Sequence, residues 1–147
     1  MVHKTMDVEK LLEQLADTDH FVVCRALKTL RALSAPSAEV VDRVLALLAS
    51  PVIAVEQNAL DTLASFRHRA LHVHSRIVGQ LARRIGDGRG CDYSCCGYAA
   101  YYAPVERYIA TLLAIADRER IEWALTSDVE YLEKESIHEI RFLVAEF

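Results

Sequence analysis

Proline and glycine are scarce in this chain, with 3 and 5 copies among 147 residues. That scarcity excludes a turn-rich β architecture, which needs both residues at its frequent reversals. No stretch approaches the roughly 18 uninterrupted apolar residues of a membrane helix. Met1 to Lys10 carries Asp7 and Glu9 where a signal peptide would have its apolar core, so the expected compartment is the cytoplasm, with no membrane partner. A basic surplus is also missing. The net charge is -4, which disfavours the sequence-independent nucleic-acid binding that runs on a global positive field. Of the 4 cysteines, Cys91, Cys95 and Cys96 crowd into one segment instead of spreading as a disulfide framework would. Catalytic signatures are lacking as well: there is no Gly-x-Ser-x-Gly, no Gly-Lys-Ser/Thr phosphate loop and no His-Glu-x-x-His. The string Gly86-Asp87-Gly88-Arg89-Gly90 follows a helical pattern and not a strand. These absences point away from an enzyme and from a cofactor.

What the chain does have is apolar residues, at 52%, enough for one domain over 1-147 to bury a core without staples. They fall at helical spacing. Val8, Leu11, Leu12 and Leu15 form one amphipathic stripe, and Val22, Ala26, Leu30 and Leu33 form a second just after Asp17-Thr18-Asp19. A junction this short makes the two helices antiparallel, and its Asp side chains suit the opening of the second. The pattern then returns about 33 residues on, within the range of helical repeats. Val8, Leu12, Leu15 and Ala16 match Val41, Leu45, Leu48 and Ala49, while Val22, Ala26, Leu27, Thr29 and Leu30 match Val55, Ala59, Leu60, Thr62 and Leu63. A third copy starts with Ile77, Val78, Leu81 and Ala82, and its second helix arrives late as Val105, Ile109, Leu112 and Leu113.

The prolines agree with this division, since Pro36, Pro51 and Pro104 all stand where a helix is expected to begin. Ser50 before Pro51 suits an N-cap. Beyond Ala116, a polar start at Asp117 to Arg120 predicts a short helix around Ile121 to Leu125. Ser127 with Glu130 reads as a capping box ahead of Val129, Leu132, Ile140, Leu143 and Phe147, a last helix that closes the end of the stack.

Taken together, these residues resemble the HEAT-repeat family. Its second helix opens with Asp, then Val-Arg, a small residue and an Ala/Thr-Leu pair. The first copy here reads Asp19, Val22-Val23, Ala26, Thr29-Leu30; the second reads Val55-Glu56, Ala59, Thr62-Leu63; the third reads Val105-Glu106, Ile109, Leu112-Leu113. The resemblance spans roughly residues 6 to 116. It implies an all-α, right-handed superhelix (an α-solenoid) of about three helical hairpins plus a C-terminal capping helix. Val23, Glu56 and Glu106 replace the family's Arg, so its ladder of Asp-Arg pairs between repeats is not expected here.

One segment interrupts the third copy. Residues 86-103 hold four of the five glycines, three of the four cysteines and Tyr93, Tyr98, Tyr101 and Tyr102. A connection of this length inside a compact repeat is usually functional or disordered, and tyrosines supply contact area at low entropic cost. The segment therefore reads as a recognition loop, with Arg89 at its start and with Lys28, Gln57, Asp61 and Arg107 outward on the second helices. The expected function is a non-enzymatic protein-binding module: an adaptor, an inhibitor or an immunity-type antagonist. Its alternative is a metal- or thiol-dependent sensor using Cys91, Cys95 and Cys96 with His68 and His72, four apart as on one helical face. Cys-x3-Cys-Cys is not a standard zinc spacing, and no metal is expected. Cys24 has the register of a small packed residue. The run of Arg67, Arg69, Arg76, Arg83, Arg84 and Arg89 makes the middle of the chain locally basic.

Overall fold

The computed structural model describes residues 7-89, 105-127 and 133-147, and every regular element among them is helical. In chain order these are α1 (Val8–Gln14), α2 (His20–Leu30), α3 (Ala38–Ala46), α4 (Ile53–Phe66), α5 (His74–Arg89), α6 (residues 105-115), α7 (Arg118–Ser127) and α8 (Lys134–Glu146). Two 3-10 segments, Leu47–Ala49 and Arg67–Val73, lie before α4 and α5. Among the described residues no helix is long and apolar enough to cross a membrane.

Short polar side chains set the helix starts. Asp7, Asp19 and Ser37 accept from the backbone N-H of Lys10, Phe21 and Val40, and Asp117 accepts from Arg120 at 2.8 Å, each satisfying a donor that the first turn leaves without a partner. Ser50 does something else. It ends the first 3-10 segment and accepts from Val52 at 3.2 Å, so α4 begins at Ile53 with Val52 as an N-cap that makes no side-chain bond. Likewise Ser127 ends α7, and its expected partner Glu130 lies outside the described residues, as do Val129 and Leu132. Helix α7 is longer than the pattern suggested because its polar residues, from Arg118 onward, are helical too. The backbone of Arg67, at φ 54°, marks the break after α4. A side chain there is strained, since this region favours glycine.

One core draws buried residues from every described helix. Leu12 and Leu15, Ala26, Leu27 and Leu30, Val41, Val44 and Leu48, Ala59, Leu60 and Leu63, and Ile77 and Leu81 are all buried. The matched pairs Leu15 and Leu48, Ala26 and Ala59, Leu27 and Leu60, and Leu30 and Leu63 are buried alike, whereas Val8, Leu45 and Val22 are only partly covered and Thr29 is exposed where Thr62 is buried. Helix α1 packs on α2, α3 on α4, and α4 on α2, while α7 and α8 pack on α5. The second helices meet through a repeated hydrogen bond. The Thr62 hydroxyl donates to the Leu27 carbonyl at 3.0 Å, and the Thr111 hydroxyl donates to the Leu60 carbonyl at 3.1 Å.

That pair of bonds corrects the register of α6 by one residue. Thr111 stands where Thr62 does, so Tyr108 occupies the place of Ala59, Ile109 that of Leu60 and Leu112 that of Leu63. Burial agrees: Ile109 and Leu112 are fully enclosed whereas Leu113 is only partly covered. The gapless repeat ends at the insertion, and adjacent apolar residues on α6 fit either phase. Only the buried threonine separates them. The boundary of the insertion moves as well, because α5 continues through Gly86 and Gly88 to Arg89.

Candidate interaction site

Of the residues expected to bind a partner, four can be placed in full. Lys28 is exposed on α2, Gln57 and Asp61 are half-buried on α4, and Arg107 is exposed on α6. Two of them touch: Arg107 Nη1 lies 2.5 Å from Asp61 Oδ2. Arg31 reaches the same carboxylate from the end of α2 at 3.9 Å. Its guanidinium also donates to the Asn58 side-chain oxygen at 2.8 Å, the Asn58 carbonyl at 3.3 Å and the Thr62 hydroxyl at 3.2 Å. Arg31, Asp61 and Arg107 therefore form a ladder across α2, α4 and α6. The Arg-Asp-Arg series joins three helices through positions other than those at which the resemblance would place an Asp-Arg ladder. No sequence pattern marks Arg31, because its partners Asn58 and Thr62 come from a helix about 30 residues away.

The same face carries an apolar anchor. Phe21 is 78% exposed, and it stands seven residues before Lys28 on α2, hence on the same side of that helix. Exposed aromatics also mark the other end of the molecule, where Trp123 on α7 is 59% exposed and its ring lies 6.3 Å from that of His74. Helices α7 and α8 are joined there by Arg141, whose Nε and Nη2 both donate to Glu122 Oε1, at 2.9 and 2.5 Å, and by Arg118, which donates to the Val144 carbonyl.

Beneath the α4 and α6 pair lies a buried polar cluster. Glu56 is 3% exposed although it is charged. Its carboxylate accepts from the Tyr108 hydroxyl at 2.8 Å and faces Arg84 Nη2 at 3.5 Å. Burial, and then the neighbouring carboxylate, hold the Tyr108 phenol well above the usual tyrosine range, so it stays protonated and donates. Gln80 donates to the Leu48 carbonyl at 3.3 Å beside it. A cleft of about 220 Å³, lined by Glu56, Gln80, Arg83 and Arg84 among others, opens next to the cluster. The arrangement fastens α4, α5 and α6 together, and its carboxylate is already engaged by a phenol and a guanidinium. The helical pattern hides it, because Glu56 merely stands where the resemblance has Arg after Val.

The residues proposed for a metal do not come together where they can be followed. His68 and His72 lie in the 3-10 segment and not on an α-helix, and at three residues per turn a spacing of four places them on different sides. His72 instead sits 3.4 Å from Asp42. Among the described residues no group of three His, Cys, Asp or Glu side chains is placed to hold an ion. Cys24 is half-buried against the core, as its register suggested. Tyr93, Tyr98, Tyr101, Tyr102, Cys91, Cys95 and Cys96 lie outside the described residues, and Arg89 is placed only as the last residue of α5. No family model matches the chain, and no curated protein or solved structure matches it significantly.

Proposed function

We propose that this chain is a non-enzymatic, cytoplasmic protein-binding module of the HEAT-like kind, a short right-handed superhelix that presents its α2, α4 and α6 face to another protein as an adaptor, inhibitor or immunity-type antagonist. The observation that carries the reading is the prepared state of that face. Asp61 holds Arg107 at 2.5 Å and Arg31 at 3.9 Å, so two long cationic side chains are already ordered before a partner arrives. Pre-ordering lowers the entropy lost on association, and arginine is among the residues that dominate binding energy. Phe21 adds an exposed aromatic side chain in the first turn of α2. In this reading the Tyr-rich insertion extends the same surface through Tyr93, Tyr98, Tyr101 and Tyr102. The test is affinity capture from native lysate with the intact chain beside a variant carrying Phe21→Ala, Lys28→Ala and Arg107→Ala. A partner retained by the first and lost by the folded second supports the proposal, and equal retention by both contradicts it.

A further inference from the structure

A different surface names the chemistry of a partner. Between Asp61 and Asp87 the chain holds five arginines and three histidines and no acidic residue. On α5, Arg76, Gly79 and Arg83 are all exposed, and their spacing of three and four residues places them on one face. Arg83 makes no ion pair among the described residues. Arg76 shares Asp42 with His72, at 3.2 and 3.4 Å, which leaves the face positive.

Gly79 is the second observation, independent of charge. It sits inside a 16-residue helix, and a Cβ added there meets nothing within 4 Å among the described residues. Among the described residues neither packing nor backbone conformation requires a glycine at this position, and glycine is the poorest helix former after proline. What its missing side chain does provide is a notch on the solvent side, between two guanidiniums, where another backbone can come close to α5.

We propose that the α5 face at Arg76, Gly79 and Arg83 seats an acidic helix of a partner protein, whose backbone crosses at Gly79 and whose carboxylates meet the two arginines. The inference rests on the protein-binding reading and specifies the partner's charge. Arg76 and Arg83 are two turns apart, about 10.5 Å along the axis, and acidic residues seven apart on another helix repeat that spacing. The guanidinium fork matches a carboxylate in a bidentate pair. A phosphate backbone fits less well: duplex binding relies on many cation contacts, and here Asp42 lies within the stripe and the chain carries a net -4.

The test uses the intact chain and an alanine-based helical peptide of about 20 residues, long enough to be helical alone, with glutamates at seven-residue intervals. Fluorescence anisotropy is read at low and at physiological salt, beside a peptide with Gln for each Glu and a DNA duplex. The glutamate peptide is expected to bind, with at least about tenfold loss for the Gln peptide and for the Arg76→Gln, Arg83→Gln double variant. Gly79→Leu should lose at least about tenfold too, while its helical circular dichroism is kept or raised. Absence of peptide binding, unchanged binding by folded Gly79→Leu, or equal binding of the Gln peptide would overturn the proposal. Tighter binding of the duplex, lost in the double arginine variant, would overturn it in favour of nucleic acid. The Phe21, Lys28 and Arg107 variant distinguishes the two readings. It should keep the peptide while losing the captured partner; loss of the partner by that variant with no peptide binding by wild type discards this inference alone.

Discussion

Removing one hydroxyl tests the buried cluster. In Tyr108→Phe the ring still fills its fully enclosed site, so no cavity adds to the cost, and what is lost is the 2.8 Å bond to Glu56. A hydrogen bond to a charged group contributes about 1.5 to 3 kcal/mol, and a loss of about 2 kcal/mol is expected here because both partners are buried. Urea unfolding at neutral pH reads this as a midpoint lowered by roughly 1 M at an unchanged slope. The pH dependence adds a sign. Burial and Glu56 raise the phenol's pKa in the folded chain, so above about pH 10 the unfolded chain releases this proton while the folded chain keeps it. Fewer bound protons in the unfolded state means that stability falls as pH rises through that window. The full contribution is therefore present below about pH 10, and the gap between wild type and Tyr108→Phe narrows above it. A loss below about 0.5 kcal/mol, or a gap that keeps its size at alkaline pH, refutes the reasoning.

Three further outcomes are expected. Leu63→Ala should cost about 2 to 5 kcal/mol in the same assay, as a fully buried large-to-small change, and a loss below about 0.5 kcal/mol contradicts its place in the core. Thr111→Val keeps the volume and removes the hydroxyl that donates to Leu60, so a loss of about 1 kcal/mol is expected; a neutral result contradicts the α6 register given above. Elemental analysis of tag-free protein should show less than one zinc per chain, and a full equivalent that disappears in a Cys95→Ser, Cys96→Ser variant would instead favour the metal or thiol sensor.

Much of the helical content was legible because burial in a helix repeats at a spacing that the apolar residues record directly. Leu27 and Leu60, or Leu30 and Leu63, could be paired by eye, and the structure buries all four. The phase of α6 was not legible, because Leu112 and Leu113 are both apolar and the insertion had erased the period. Polar residues at interhelical positions were harder still. Glu56 looks like any surface glutamate until Tyr108 is brought over it from 52 residues away, and Arg31 acquires Asp61 and Thr62 only when α4 lies against α2. Local sequence also misled at His68 and His72, where a strained backbone at Arg67 diverts the chain into a 3-10 segment. Asp61 and Arg107 read from the pattern only as outward positions, and their 2.5 Å pairing needs α6 beside α4, whereas a lone exposed phenylalanine such as Phe21 has no signature in the pattern.

Protein binding by the α2, α4 and α6 face can be measured by titrating the captured, purified partner against wild type and the Phe21→Ala, Lys28→Ala, Arg107→Ala variant. All three side chains are exposed, so helical circular dichroism and the unfolding midpoint should stay close to wild type. Affinity is expected to fall by at least about 2 kcal/mol, roughly thirtyfold in Kd. An unchanged Kd with a folded variant would contradict the account.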